Sequence, residues 1–212
     1  MQKYPLFSII VLNYNGIDLI KPCLSSILNS DYPNFEIIFV DNASSDGSAE
    51  LAEEISKTDG RLRIIRNNSN LFYTGGNNIG INGAKGEFVL ILNNDTEIEQ
   101  KCLSELSEAM KEEGVGAAQP KILVSGYSSL IDNTGGIIDF YGYTKGRGQR
   151  EIDKGQFDKD EDIFYAGGTA MVLKKSVLDK VGIFDPKFIA HWEDVDLSWR
   201  IRLAGYRIVF VP

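Results

Sequence analysis

The stretch EFVLILNND, from Glu87 to Asp95, decides the fold of this chain because an apolar strand ends there on a carboxylate. In open α/β sheets, ligands bind beyond the carboxyl ends of the strands. A carboxylate oxygen at that position can hold Mg²⁺ or Mn²⁺ against a substrate phosphate. Asn-Asn-Asp is also common turn material, so this stretch alone leaves both interpretations open.

Alternating strand and helix patterns surround this stretch. Short apolar runs predict strands at Phe7–Leu12, Glu36–Val40, Leu62–Ile65 and Phe88–Leu92. Helical spacing and capping residues predict helices at Gly16–Leu28, Ser48–Ser56, Gly76–Ala84 and Gln100–Lys111. The alternation predicts an α/β fold with a mostly parallel central sheet and helices on both faces.

The second half of the chain is less regular. The segment 123–162 is too long and too polar to be an ordinary connection. Within it we expect a strand or hairpin at Gly135–Thr144 and a mobile segment at residues 145–162. Regular structure is predicted to return at Tyr165–Leu173, Lys175–Val181, Val195–Ala204 and Tyr206–Val211. We expect a single domain over residues 1–212.

The composition excludes several function classes. With 212 residues, 43% of them hydrophobic, the chain can bury a core, and its net charge of -8 argues against nucleic-acid binding. A divalent cation would let such an acidic protein bind a diphosphate. Cys23 and Cys102 are predicted to be reduced core thiols of a cytoplasmic protein. The N-terminus, Met1–Pro5, lacks a signal-peptide pattern, and no apolar run is long enough to span a bilayer.

Polar residues follow the first strands where a nucleotide would lie. Asp41 is placed to accept hydrogen bonds from a base or ribose, and the turn at Asn13 and Tyr14 is placed to cover a base. Asp46 is interpreted as a helix cap. The residues Gly75, Gly76 and Asn77 predict a helix start whose backbone N–H groups approach a ligand. No dinucleotide fingerprint and no phosphate loop occur in the sequence.

Three acids crowd the start of the last predicted helix: Glu193, Asp194 and Asp196. The helix dipole tolerates acids at this position, which is the structural interpretation. The functional interpretation is that mutual repulsion makes one of them a better general base. Because Asp196 is spaced to pair with Arg200, Asp194 remains as the candidate base. Trp199, within the predicted helix, is predicted to be core.

Together these motifs resemble glycosyltransferase family 2, the inverting sugar-nucleotide enzymes with the GT-A fold, and in particular its bacterial rhamnosyltransferase-like members. The resemblance rests on Asp41, Gly75–Asn78, Asn93–Asp95, Trp192–Asp196, the opening Ser8–Asn15 and Gly182–Asp185.

The resemblance implies a metal-dependent transfer from a nucleoside-diphosphate sugar to a saccharide or lipid-linked saccharide, in surface polysaccharide synthesis. It implies that Asp95 binds Mn²⁺ or Mg²⁺, that the Glu193–Asp194 pair supplies the base, and that Asn93 and Asn94 lie at the donor. Asn93 replaces the first acid of the Asp-x-Asp motif. Trp192 would form an apolar wall for a sugar ring, and His191 would either support the residues that contact substrate or lie on the acceptor side.

The resemblance also implies a division of the chain: residues 1–97 would bind the nucleotide sugar, and residues 98–212 would form a mixed-strand acceptor half. Relatives continue past this point with a metal-binding His, so we expect the acceptor half to be C-terminally incomplete. We expect a cytoplasmic protein at the inner face of the cell membrane, with peripheral membrane association. Two alternatives stay open: a non-catalytic nucleotide-sugar-binding module and a sugar-1-phosphate nucleotidyltransferase.

Overall fold

The computed structural model describes residues 4–212, so the part of the N-terminal prediction that concerns residues 1–3 lies outside the described residues. The strands are β1 (Phe7–Asn13), β2 (Phe35–Asp41), β3 (Leu62–Arg66), β4 (Phe88–Asn93), β5 (Val115–Pro120), β6 (Ile122–Val124), β7 (Tyr127–Asn133), β8 (Gly136–Ile138), β9 (Thr144–Gly146), β10 (Glu161–Asp162), β11 (Ala170–Lys174) and β12 (Arg207–Val211). The helices are α1 (Ile20–Leu28), α2 (Ser48–Ser56), α3 (Phe72–Gly83), α4 (Cys102–Lys111), α5 (Lys175–Val181) and α6 (Glu193–Leu203), with a 3₁₀ turn at Pro186–Phe188.

The central sheet has eight strands in the order β10-β12-β5-β11-β4-β1-β2-β3. Strands β4, β1, β2 and β3 are parallel, as are β5 and β12, whereas β11 runs antiparallel between β4 and β5. The predicted α/β fold with a mostly parallel sheet is therefore confirmed. Since β11 from the second half of the chain pairs with β4, the proposed halves share one sheet, and their separate roles stay a prediction.

Two apolar cores cover the two faces of the sheet. The first packs α1, α2 and α4 against alternate strand residues, with Leu24 and Leu106 fully buried. The second packs α3, α5 and α6 against the other face through Ile81, Leu178 and Leu197. Burial of both faces explains why the central strands read as continuous apolar runs rather than alternating ones.

The long polar segment of the second half is built from small hairpins. Strands β8 and β9 form the predicted hairpin. Residues 145–162, which we predicted to be mobile, instead contain β10, which pairs with β12, and ion pairs such as Lys121–Asp153 at 3.1 Å. The residues that hold this segment in place belong to β12 or lie next to β5, far away in the sequence. The composition of residues 145–162 therefore could not reveal that the segment is ordered.

Several predicted boundaries are wrong by a few residues. Helix α1 begins at Ile20 rather than Gly16, because the Gly16 carbonyl accepts from Leu19 and Ile20 and forms a turn first. Strand β11 begins at Ala170, so the residues from Tyr165 onward form an irregular segment. Trp199 is 43% exposed rather than core, and it packs edge-on against the ring of Phe164.

Cys23 and Cys102 are free thiols packed in α1 and α4, as predicted. Burial, followed by the charges of Asp95 and Glu97, raises the pKa of Cys23 to about 12. Between residues 4 and 212, every helix is too short or too polar to cross a membrane.

Candidate active site

The carboxyl ends of β1 and β2 are joined by a buried polar network. Asn13 is fully buried, and its Nδ2 donates to Asp41 Oδ1 at 3.2 Å and to Ser48 Oγ at 2.8 Å. Asp41 is 2% exposed, and its Oδ2 accepts from the Ser44 backbone N–H at 3.0 Å. The predicted nucleotide residues Asn13 and Asp41 are thus brought together, and Tyr14 beside them is 52% exposed, free to cover a flat ligand.

Asp46 is not the cap residue of α2, because Gly47, with φ of +89°, occupies that position. Asp46 lies one residue earlier; its Oδ1 accepts from the Ser48 N–H at 3.0 Å at the start of α2, and its Oδ2 accepts from the Ile17 N–H at 2.8 Å. Asp46 therefore ties the loop after β1 to the loop after β2.

The glycines at 75 and 76 lie inside α3, not at its start, which corrects the predicted helix boundary. A Cβ on Gly76 would lie 2.3 Å from Leu12 Cδ1, and one on Gly75 would lie 2.9 Å from Leu71 Cβ. Gly76 therefore allows α3 to pack closely against β1, whereas Gly75 lies close to Leu71 in the turn before the helix. Asn77 is 1% exposed, and its Nδ2 donates to the Tyr73 carbonyl. A substrate role for these three residues stays a prediction.

The end of β4 carries the predicted metal ligand. Asp95 is exposed and lines a cavity of about 1,020 Å³ together with Asn93 and Thr169. Asn94 Nδ2 donates to Asn13 Oδ1 at 2.8 Å, which links this loop to the network at Asp41. Within residues 4–212 no three His, Cys, Asp or Glu side chains converge on a ready-made metal site.

The predicted base lies in the first turn of α6. Asp194 Oδ2 accepts from the Gly168 N–H at 3.0 Å, and its Oδ1 accepts from the Val195 N–H at 2.8 Å. Both oxygens of the Asp194 side chain therefore accept a backbone N–H. Its neighbour Glu193 is 5% exposed, and burial followed by the Asp194 charge raises the pKa of Glu193. The two adjacent carboxyl groups therefore lie in different environments.

Asp196 does not belong to the reactive cluster. Arg200 donates to Asp196 Oδ2 through Nε at 3.0 Å and through Nη2 at 2.8 Å, which confirms the predicted pair. The same guanidinium donates to the carbonyls of Val181 and Ile183. The pair fixes α6 against the end of α5.

Two tyrosines that sequence reasoning missed contact the Asp194 region. The Tyr73 hydroxyl donates to the Gly168 carbonyl at 2.6 Å, and burial followed by the nearby Glu193 charge raises the pKa of Tyr73. Tyr165 is hydrogen-bonded to the Thr144 side chain, and burial followed by the Asp194 charge raises its pKa. Neither tyrosine is part of a motif, so the sequence carried no signal for them.

The residues just before α6 have strained backbones. Ile189, His191 and Trp192 adopt φ values of +60°, +68° and +69°, a region that L-residues rarely occupy. Trp192 is 58% exposed, and it lines a cavity of about 310 Å³ with His191 and Asp194. Such strain persists only where the surroundings enforce it, and it is frequent at binding sites.

The Gly168–Thr169 backbone segment links Asp194 to the end of β4, the strand that leads to Asp95. The Asn93 N–H donates to the Thr169 carbonyl at 3.0 Å, and the adjacent Gly168 N–H donates to Asp194. Thr169 lines the larger cavity with Asp95, whereas Asp194 lines the smaller one. Asp194 and the end of β4 therefore both hydrogen-bond this segment, and the pairing of Asp95 with Asp194 stays a prediction.

Comparison with known proteins identifies the family. The model for "Glycosyl transferase family 2" matches residues 8–182. The chain belongs to glycosyl transferase family 2. The match includes β1 and the Asp95 loop and ends just before the segment that leads to α6.

Curated relatives of this glycosyl transferase family 2 chain are longer. GlyG from Streptococcus pneumoniae is 28% identical over 218 residues, which cover 97% of this chain and 68% of GlyG. The poly-β-1,6-N-acetyl-D-glucosamine synthase of Staphylococcus epidermidis is 29% identical over 216 residues, covering all of this chain and 49% of the synthase. The y4gI protein of Sinorhizobium fredii is 27% identical, with 24% of its length covered. The chain thus spans only part of the length of these relatives.

Solved structures share the GT-A fold. The mannosyltransferase PcManGT from Pyrobaculum calidifontis, in complex with GDP-Man and Mn²⁺, matches the whole chain with a TM-score of 0.74 and 20% identity, over 55% of its own length. TarS from S. aureus, in complex with UDP-GlcNAc, matches 96% of the chain with a TM-score of 0.73 and 21% identity, over 55% of its own length.

Proposed function

We propose that this chain transfers a sugar from a nucleoside-diphosphate sugar to a saccharide hydroxyl, with inversion at the anomeric carbon. The observation that carries the proposal is the Gly168–Thr169 segment, which hydrogen-bonds the end of β4 on one side and Asp194 on the other. A candidate base and a candidate diphosphate-binding loop are thereby held at fixed positions by the same backbone. Family membership and the nucleotide sugars bound to PcManGT and TarS support the donor class.

The residues at the end of β4 fit a divalent cation bound together with substrate. Asp95 offers an exposed carboxylate. Burial first, and then the charges of Asp95 and Glu97, raise the pKa of Cys23, so the charges of both acids act on the same buried thiol. Mg²⁺ is commonly held by one or two carboxylates plus substrate phosphates, so one acid can suffice. Asp95 would hold the ion, which when bound would neutralise charge on the departing diphosphate. The Asn93 amide, in place of an acid, would leave that cation less neutralised by the protein.

The reaction needs one displacement. Asp194 takes the proton of an acceptor hydroxyl, and that oxygen forms a bond to the anomeric carbon. The bond from that carbon to the diphosphate oxygen breaks, and its electron pair leaves with the nucleoside diphosphate. Because the base and the leaving group lie on opposite flanks of the sugar, a single displacement inverts the anomeric centre.

The predicted nucleotide residues complete the donor site. Asp41 is held by Asn13 and by the Ser44 N–H, so its remaining lone pairs can accept from a base or ribose. Tyr14 would lie over the base. The similarity to a poly-β-1,6-N-acetyl-D-glucosamine synthase supports an acceptor in surface polysaccharide, free or lipid-linked.

A donor screen tests this function. Thermal shift and calorimetry with UDP-GlcNAc, GDP-mannose, dTDP and CDP sugars, each with and without Mn²⁺, should identify one donor whose binding requires the metal. Incubation of that donor with saccharide acceptors should then give a product of inverted anomeric configuration. Binding without transfer would support a non-catalytic module, and a retained anomeric configuration would contradict the single displacement.

A further inference from the structure

Glu193 holds a buried oxygen without a partner. It is the first residue of α6 and is 5% exposed. Its Oε2 has no hydrogen-bond partner among residues 4–212, and its Oε1 lies 3.6 Å from where a Cβ on Gly168 would be. Native structures satisfy nearly all buried polar atoms, so an orphaned oxygen needs an explanation.

The surroundings of Glu193 raise the pKa of its carboxyl group. Burial is the largest cause and the adjacent Asp194 charge adds to it, whereas the hydrogen bond from the Glu193 backbone N–H and the charge of His191 lower the pKa. Burial also raises the pKa of Tyr73 and of Tyr165, the two tyrosines near this pair. A protonated carboxyl group carries one O–H donor, which an ionised one lacks.

The cavity beside Glu193 has room for a sugar. Its volume is about 310 Å³, at the lower end of the range for small-ligand pockets. Its lining combines two carboxyl groups, hydroxyl groups and an aromatic face, from Thr144, Tyr165, His191, Trp192, Glu193, Asp194 and Val195. Such a mixture of an aromatic face and polar groups suits the two sides of a pyranose ring.

We propose that the Glu193 carboxyl group donates a hydrogen bond to an oxygen of the acceptor sugar, and so orients the attacking hydroxyl on Asp194. This inference rests on the proposed function, because it assigns the acceptor to the smaller cavity. Glu193 is then a specificity residue that contacts substrate, whereas Asp194 alone takes the proton.

Three variants test this role: Glu193→Ala, Glu193→Gln and Asp194→Asn. Their steady-state transfer kinetics are compared with those of the wild type, with UDP-GlcNAc or GDP-mannose as donor according to which one the wild type uses. The acceptors are N-acetylglucosamine, mannose and the β-1,6-linked N-acetylglucosamine disaccharide. Glu193→Ala should raise the acceptor KM about tenfold and leave the donor KM unchanged. Glu193→Gln keeps a hydrogen-bond donor of similar shape, so its acceptor KM should stay close to that of the wild type. Asp194→Asn should instead lower kcat.

Two kinetic results would overturn the inference. If Glu193→Gln were as inactive as Asp194→Asn, Glu193 would be acting as an ionised base. If Glu193→Ala lowered the melting temperature without changing the acceptor KM, its role would be structural only.

Infrared spectroscopy separates this inference from the proposed function. The wild type at pH 7 should show a protonated-carboxyl C=O band that Glu193→Gln lacks, whether or not any sugar is transferred. An ionised Glu193 at pH 7 would overturn the inference even in an active enzyme. A chain that binds donor without transferring sugar would overturn the proposed function, even with the band present.

Discussion

Tyr73→Phe tests whether the Gly168 peptide positions the base. The substitution removes the hydroxyl that donates to the Gly168 carbonyl at 2.6 Å and leaves that carbonyl without this donor. An unsatisfied buried acceptor costs about 1–3 kcal/mol, which corresponds to a fall in Tm of roughly 2–12 °C for a domain of this size. Gly168 also donates its N–H to Asp194. If loss of the Tyr73 hydroxyl shifts Gly168, and with it the base, by a fraction of an ångström, kcat should fall by about 10–100-fold.

Tyr32→Phe is the matched control. The Tyr32 hydroxyl is also buried, and it donates to the Pro5 carbonyl at 2.7 Å, next to the amino ends of the strands. Its loss should lower Tm by a similar amount and leave kcat unchanged. Differential scanning calorimetry and transfer kinetics on both variants give the comparison. If both retained kcat equally, or both lost it equally, the positioning role of Tyr73 would be refuted.

Two further predictions concern the base and the packing of α3. Asp194→Asn should lower kcat by about 10²–10⁴-fold and leave donor affinity unchanged. Asp196→Asn should lower Tm and leave kcat unchanged. Similar kcat values in the two variants would show that Asp194 is not the base. Gly76→Ala should cost about 1–3 kcal/mol, because its Cβ would lie 2.3 Å from Leu12 Cδ1, and Gly60→Ala, with open space around it, should cost far less. Urea denaturation measures both glycine variants, and equal midpoints would show that α3 is free to shift.

The sequence predicted features that depend on neighbours along the chain. The bounds of α2 and α5 and the Asp196–Arg200 pair follow from local spacing, and all are found in the structure. Apolar runs predicted the parallel strands because both faces of the sheet are buried. Local pattern therefore carried the fold class and the bounds of β1 to β4, which are correct to within one residue at each end.

Contacts between distant segments could not be predicted in this way. The Tyr73–Gly168 hydrogen bond joins residues 95 positions apart, and neither residue belongs to a recognisable motif. The glycines at 75 and 76 suggested a ligand-binding turn. In the structure Gly76 instead lies close to the Leu12 side chain of β1, which leaves little room for a Cβ. The unequal environments of Glu193 and Asp194 likewise depend on Gly168, which approaches from another part of the chain.

The central claim is that a metal-bound diphosphate at Asp95 lies next to the base at Asp194. Paramagnetic broadening of backbone amide signals by Mn²⁺ tests it directly, in the presence of the donor nucleotide. The signal of the Gly168 amide, which donates to Asp194, should broaden strongly. The signal of the Gly60 amide, at the opposite end of the sheet, should stay sharp. Asp95→Asn should abolish the broadening at Gly168. A sharp Gly168 signal under saturating Mn²⁺ and nucleotide would contradict the claim.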